Sequence, residues 1–144
     1  MTPKQRVLFI CVHNSARSQI AEAWLNALSP EKYEAQSAGL EPGTMNPIVV
    51  EVMKEVGIDL SQKKTQAVFD VWKSGQIFQY VITVCSEAEA EGCPVFPGIA
   101  ARLHWPFPDP SKVTGSREEK LQQVRRIRDE IRLQVERWCE SLDV

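Results

Sequence analysis

The stretch that decides the fold is LFICVHNSARSQIAEAW, residues 8–24. Its first residues belong to the apolar run VLFICV (7–12), bounded by charge before and a polar loop after. That is the pattern of a parallel strand buried on both faces. Its last residues open a helix, with Ile20, Ala23, Trp24, Ala27 and Leu28 on one face between Ser18 and Leu28, and Ser29-Pro30 as the stop. Between strand and helix lie Cys11, five residues, then Arg17 and Ser18.

A strand-to-helix loop can curl its backbone N–H groups around an anion, and the helix dipole favours that anion. The loop Val12, His13, Asn14, Ser15, Ala16, Arg17 and Ser18 is therefore a candidate oxyanion cradle. Arg17 adds a planar, permanently charged fork suited to two oxygens of a tetrahedral oxyanion. The same surroundings favour the thiolate of Cys11, and Ser18 can donate a hydrogen bond to it. His13 reads as a loop residue, because a thiolate needs no base. Asn14 reads as a shaper of the loop, because Asn tolerates left-handed backbone angles.

Further along, Tyr33–Ala38 reads as a strand ended by Gly39, and PIVVEVMKEVG (47–57) as a helix with Pro47 in its first turn and Gly57 as C-cap. A helix is expected over Ala67–Lys73, a strand at YVITVC (80–85) and another at ARLHW (101–105). After a proline-rich loop, Ser116 and Glu119 form a capping box. The long helix that follows carries Leu121, Val124, Ile127, Ile131, Val135, Trp138 and Leu142 on one face, and REEKLQQVRRIRDE reads as its solvated side. Strands alternating with helices predict an α/β fold, a parallel sheet covered on both faces. Ligands in such folds sit at the carboxyl ends of the strands, where strand order reverses. Cys11 and Cys85 each end a strand, so both are expected in that crevice.

Composition narrows the function. A net charge of −2 over 144 residues offers no basic field, so no nucleic-acid partner is expected. No apolar run approaches the ~20 residues of a membrane span. MTPKQRVLFIC lacks a cleavage site behind its apolar run, so a cytoplasmic single domain, 1–144, is expected. Cys11, Cys85, Cys93 and Cys139 are too few for a secreted disulfide scaffold, and in a cytoplasmic chain suit catalytic or redox use. His13 and His104 stand at no zinc-ligand spacing from them, and no metal is expected on that ground. Cys139 has no assigned role; the four tryptophans read as core or loop packing, with Trp105 a candidate site neighbour.

CVHNSARSQIAEAW resembles the phosphate-binding loop of the low-molecular-weight tyrosine phosphatases and of the arsenate reductases that share their fold. HWPFPDP (104–110) resembles the second signature, a loop carrying Asp-Pro. The resemblance runs over essentially the whole chain. It implies a three-layer sandwich around a four-stranded parallel sheet, flavodoxin-like, in a monomer. It also implies thiolate attack on an oxyanion (arsenate, with phosphate or sulfate able to occupy the loop). Cys11 is then the nucleophile, Arg17 the oxyanion clamp and Asp109 the general acid.

A phosphatase finishes with water. A reductase needs a further thiol to attack the Cys11–arsenic adduct and release arsenite. VCSEAEAEGCP (84–94) resembles the redox segment of the thioredoxin-linked arsenate reductases. Carried over, Cys85 attacks Cys11, Cys93 attacks Cys85, and thioredoxin reduces the Cys85–Cys93 disulfide. If residues 85–93 were helical, the two cysteines would lie ~12 Å apart at 1.5 Å rise per residue, against about 7 Å between Cα atoms for a disulfide. The segment must therefore unwind on oxidation, with Gly92 and Pro94 easing its release. Ser111-Lys112 after Asp-Pro, where phosphatases of this family usually carry tyrosines, also favours the reductase. The phosphatase remains the alternative, and an oxyanion-binding redox sensor is a third class.

The sequence departs from that pattern in places. Ala16 stands where some reductases have a cysteine, and the Cys85–Cys93 interval is one residue longer than in that family. Some members hold potassium near residues matching Asn14, Glu22 and Ser37, but Gln66-Ala67 replaces the carboxylate expected after Thr65. Without a cation, Glu22 reads as a helix-surface residue.

Overall fold

The computed structural model describes residues 3–86 and 100–142. Strand β1 (Gln5–Cys11) is central: Val7, Leu8, Phe9 and Ile10 are fully excluded from solvent, as an uninterrupted apolar run requires. Helix α1 (Arg17–Leu28) leads to β2 (Tyr33–Gly39), and α2 (Pro47–Lys54) and α3 (Val68–Lys73) lead to β3 (Tyr80–Thr83). Strand β4 (Ala101–His104), a short 3-10 turn (Pro110–Lys112) and α4 (Arg117–Leu142) complete the described chain.

The four strands are all parallel, in the order β2-β1-β3-β4. The chain builds outward from β1 to β2, then returns to the other side of β1 for β3. The reversal puts a crevice at the carboxyl ends of β1 and β3. Val7, Phe9, Cys11, Ile82 and Val84 join a core with α1, α2 and α4, whereas Leu8, Ile10, Ala38 and Val81 pack with Val68, Val71 and Phe78 on the opposite face. The expected three layers are present.

Several boundaries differ from expectation for identifiable reasons. Helix α2 stops at Lys54 because the chain turns through Gly57 (φ 83°), with the Ile58 N–H bonded to the Met53 carbonyl at 3.0 Å. Strand β3 ends at Thr83; the Val84 N–H still reaches the Ile10 carbonyl (2.9 Å) before the chain bends at Cys85. Trp105 lies just past β4, and its ring packs on Phe9 (5.9 Å) and Trp138 (5.8 Å). Trp72 is 43% exposed and so lies outside the core.

The capping box of α4 forms reciprocally: Ser116 Oγ accepts from the Glu119 N–H and Glu119 Oε1 from the Ser116 N–H, both at 3.2 Å. Leu121, Val124, Ile127, Ile131, Val135 and Trp138 are buried as their spacing predicts; Leu142 lies where side chains are not described. The charged run is not wholly solvated. Arg128 is buried, donating to the Val52 carbonyl (2.9 Å) and to Glu55 (3.0 Å), and Arg125 also reaches Glu55. These arginines bolt α4 to α2. Among the described residues, no helix is long and apolar enough to cross a membrane.

Candidate active site

The loop between β1 and α1 is shaped from outside. The carbonyls of Cys11, Val12, His13 and Ser15 accept bonds from the N–H groups of Leu40, Glu41, Gly43 and Asn46, at 2.7–3.1 Å. In a planar trans peptide the next N–H points the opposite way. The amides of Val12, His13, Asn14 and Ala16 are thereby turned inward. The Asn14 N–H proves the direction by donating to Cys11 Sγ at 3.2 Å. Helix α1 starts at Arg17 with no side-chain cap, so its first amides also face the crevice.

Ser18 Oγ lies 2.9 Å from Cys11 Sγ. Asn14 Nδ2 donates to that hydroxyl oxygen at 2.8 Å, which leaves the hydroxyl hydrogen for the sulfur. Asn14 is fully buried with φ 55°, in the left-handed region. Its Nδ2 also donates to Ser37 Oγ (2.9 Å), and its Oδ1 accepts from Gln19 Nε2 (3.1 Å) and the Gln66 N–H (3.0 Å). Two donors and two acceptors are all used, so Asn14 pins the loop to α1, β2 and the segment before α3.

Gly39 completes the mould. A Cβ there would stand 2.7 Å from the Asn14 nitrogen and the Val12 oxygen and 2.8 Å from the His13 carbonyl carbon, all backbone. Gly39→Ala is expected to destabilise the fold by about 1–3 kcal/mol and to lower kcat/KM by roughly 10²-fold through loop displacement. Thermal melts beside oxyanion-dependent kinetics check this.

Asp109 reaches the crevice from the proline-rich loop. Its Oδ2 lies 3.5 Å from Arg17, whose guanidinium is almost buried and also donates to the Phe107 carbonyl at 3.4 Å. Asp109 Oδ1 accepts from the Ser111 N–H (2.9 Å) and Oγ (2.8 Å). Burial pushes this carboxyl up, but the Ser111 bonds and the Arg17 and Lys112 charges outweigh it and leave it below its ordinary value. A cleft of about 280 Å³ beside the loop is lined by Ser15, Met45, Asn46, Pro110 and Ser111, among others.

Cys11 and Cys85 are both buried and share one core cluster. Ile10 pairs with Thr83 at the end of β3, which sets Cys11 level with Val84, and Cys85 stands one residue further on, where the chain bends beyond the strand. Cys93 and the segment over 87–99, with the unwinding expected of it, lie outside the described residues. Cys139 is half-buried against the core near Trp138.

The family model described as low molecular weight phosphotyrosine protein phosphatase matches residues 6–144. This chain belongs to that family. Within it, the chain is 38% identical over 138 residues to an arsenate reductase of Halalkalibacterium halodurans, covering 96% of this chain and 97% of the relative. The crystal structure of an arsenate reductase from Archaeoglobus fulgidus superposes with TM-score 0.73 at 30% identity, over 92% of this chain and 97% of that one. A thioredoxin-dependent arsenate reductase of Corynebacterium glutamicum aligns with TM-score 0.62 at 30% identity, over 94% of this chain and 63% of that one.

Against the family's potassium pattern, the three expected ligands are close together but their oxygens are already used. Ser37 Oγ donates to Glu22 Oε1 at 3.1 Å, and Lys63 Nζ sits 2.6 Å from Glu22 Oε2. Glu22 is thus a buried, paired carboxylate rather than the surface residue expected. Among the described residues, no group of three or more His, Cys, Asp and Glu side chains could hold a metal ion. His13 is exposed, with Nδ1 2.9 Å from the Glu41 carbonyl, so it braces the loop rather than facing the sulfur.

In the sequence Gly39 reads only as the end of a strand, and Gln19, Lys63 and the Leu40–Asn46 brace carry no assigned role. One signal was present: a glycine ending the strand next to the central one, where a backbone can approach closely.

Proposed function

We propose that this protein reduces arsenate to arsenite through a covalent adduct on Cys11. The observation that carries this reading is a second buried cysteine, Cys85, two residues past the end of the strand beside Cys11 and in the same core cluster. A phosphohydrolase has no use for it. The arsenate reductases similar to this chain over almost its whole length support the same reading.

The oxyanion binds in the loop's inward amides, and Arg17 turns to it from Asp109 and Phe107. Removing that guanidinium and adding a dianion nearby both raise the proton affinity of Asp109, which takes up a proton. Cys11 attacks arsenic as a thiolate, helped by hydrogen bonds from Ser18 and the Asn14 amide. Asp109 protonates the departing oxygen, which leaves as water. Cys85, as thiolate, attacks Cys11 Sγ; the sulfur–arsenic bond breaks and its electron pair stays on arsenic, now arsenite. Cys93 attacks Cys85, returning Cys11 as thiolate and leaving a Cys85–Cys93 disulfide. A thioredoxin supplies the two electrons that reopen it, a role supported by the thioredoxin-dependent relative.

The test is arsenate-dependent NADPH consumption with thioredoxin and its reductase. Wild type turns over repeatedly; Cys85→Ser gives no arsenite, and Cys93→Ser stops after one turnover with Cys11 and Cys85 joined. Both variants retain slow hydrolysis of an aryl phosphate, which shows that the loop is intact. Sustained turnover by Cys93→Ser would sink the relay.

A further inference from the structure

The potassium pattern of the family fails on this chain for a reason visible in its hydrogen bonds. Asn14 Oδ1 is fixed as an acceptor by the Gln66 backbone N–H (3.0 Å), a donor of unambiguous identity, so Asn14 turns its Nδ2 hydrogens toward Ser18 and Ser37. Ser37 Oγ accepts one of those hydrogens and gives its own to Glu22. Gln66, standing where a second carboxylate was expected, donates from Nε2 to the Ser37 carbonyl at 2.8 Å. A cation needs lone pairs; both of those on Asn14 Oδ1 are taken, by Gln19 and Gln66, and each Glu22 oxygen already faces a donor, Ser37 or Lys63. The remaining need is charge: Glu22 is a carboxylate only 5% exposed, and a buried carboxylate requires a countercharge.

We infer that Lys63 is that countercharge, a tethered substitute for a diffusible cation: its ammonium nitrogen, 2.6 Å from Glu22 Oε2, holds the Glu22–Ser37–Asn14 chain that orders the oxyanion loop. Lys63 lies on the segment between α2 and α3, with its own N–H bonded to the Leu60 carbonyl at 3.1 Å. Its side chain is 40% exposed while that of Glu22 is 7% exposed, so the lysine reaches in from the surface to a charge already inside. Asn14, at the far end of this chain, donates both to Ser18 and, through its amide, to Cys11. Lys63 is therefore a positioning residue: it touches no oxyanion but sets the loop that does. The inference rests on the loop binding an oxyanion and not on which reaction follows.

Two measurements test it. First, wild-type melting temperature, with and without inorganic phosphate, is read in potassium, sodium and tetramethylammonium chloride at one ionic strength. The three cations are expected to give the same values; a rise specific to potassium would overturn the proposal. Second, Lys63→Met is expected to raise the phosphate Kd and the KM for the oxyanion about tenfold, with kcat changed less than threefold, while Lys63→Arg restores both. Wild-type phosphate affinity in Lys63→Met overturns it. So does an Arg variant as impaired as the Met one, since a role in packing alone would not follow charge.

Discussion

Cys11→Ser is expected to abolish arsenate-dependent thioredoxin oxidation and aryl phosphate hydrolysis together, by at least ~10⁴-fold. A serine hydroxyl is a far weaker nucleophile at neutral pH, and it can form neither the disulfide with Cys85 nor the adduct from which arsenite leaves. The variant should still bind phosphate, because the inward amides owe their direction to the carbonyl bonds with Leu40, Glu41, Gly43 and Asn46 rather than to sulfur. At 100 times its Kd, phosphate would add about 2.7 kcal/mol to stability, a readable rise in melting temperature. Lost chemistry with retained binding is the expected signature. Residual multiple turnover would remove Cys11 from the role of nucleophile.

Arg17→Ala is expected to lower kcat/KM by roughly 10³-fold, the scale of losing preorganised donors to a developing oxyanion. Arg17→Lys should recover little, since a single ammonium cannot span two oxygens. The variants carry a second readout. Asp109 lies below the ordinary carboxylate range although burial pushes it up, because the Ser111 bonds and the Arg17 and Lys112 charges act more strongly in the other direction. Without the Arg17 guanidinium one lowering influence is gone, so Asp109 keeps its proton to higher pH. The alkaline limb of the kcat/KM profile, which reports the free enzyme in which Arg17 faces Asp109, should move upward in Arg17→Ala. An unmoved limb would mean that Asp109 does not carry the proton.

Local signals reached far into this molecule. The apolar run of β1, the Pro47 start of α2 and the Ser116–Glu119 box each show within a few residues, and the structure realises them; the face of α1 is realised in part, with Ile20 and Trp24 buried but Ala27 exposed and Ala21 and Leu25 buried instead. The order of strands and helices then implies the parallel sheet and the crevice holding Cys11, Arg17 and Asp109. Contacts joining segments with no shared period stayed hidden. Gly39 is needed because β2 brings its backbone against the loop; the glycine ending YEAQSAG hints at a close approach but not at what approaches. Glu22 falls on what reads as the outer side of a helix until Lys63 and Ser37 arrive from elsewhere in the chain. Arg128 likewise sits in a charged run and is buried only because Val52 and Glu55 of the neighbouring segment meet it.

The braced loop has a consequence for selectivity. Its inward amides count oxygens and negative charge; they cannot tell arsenic from phosphorus at the centre of a tetrahedron. Phosphate is therefore expected to enter the loop as arsenate does and to compete for the same seat. Discrimination falls to what happens after the sulfur bond forms, since arsenic(V) accepts an electron pair from that bond and phosphorus(V) does not. A protein of this design tolerates a crowded entrance and chooses at the exit.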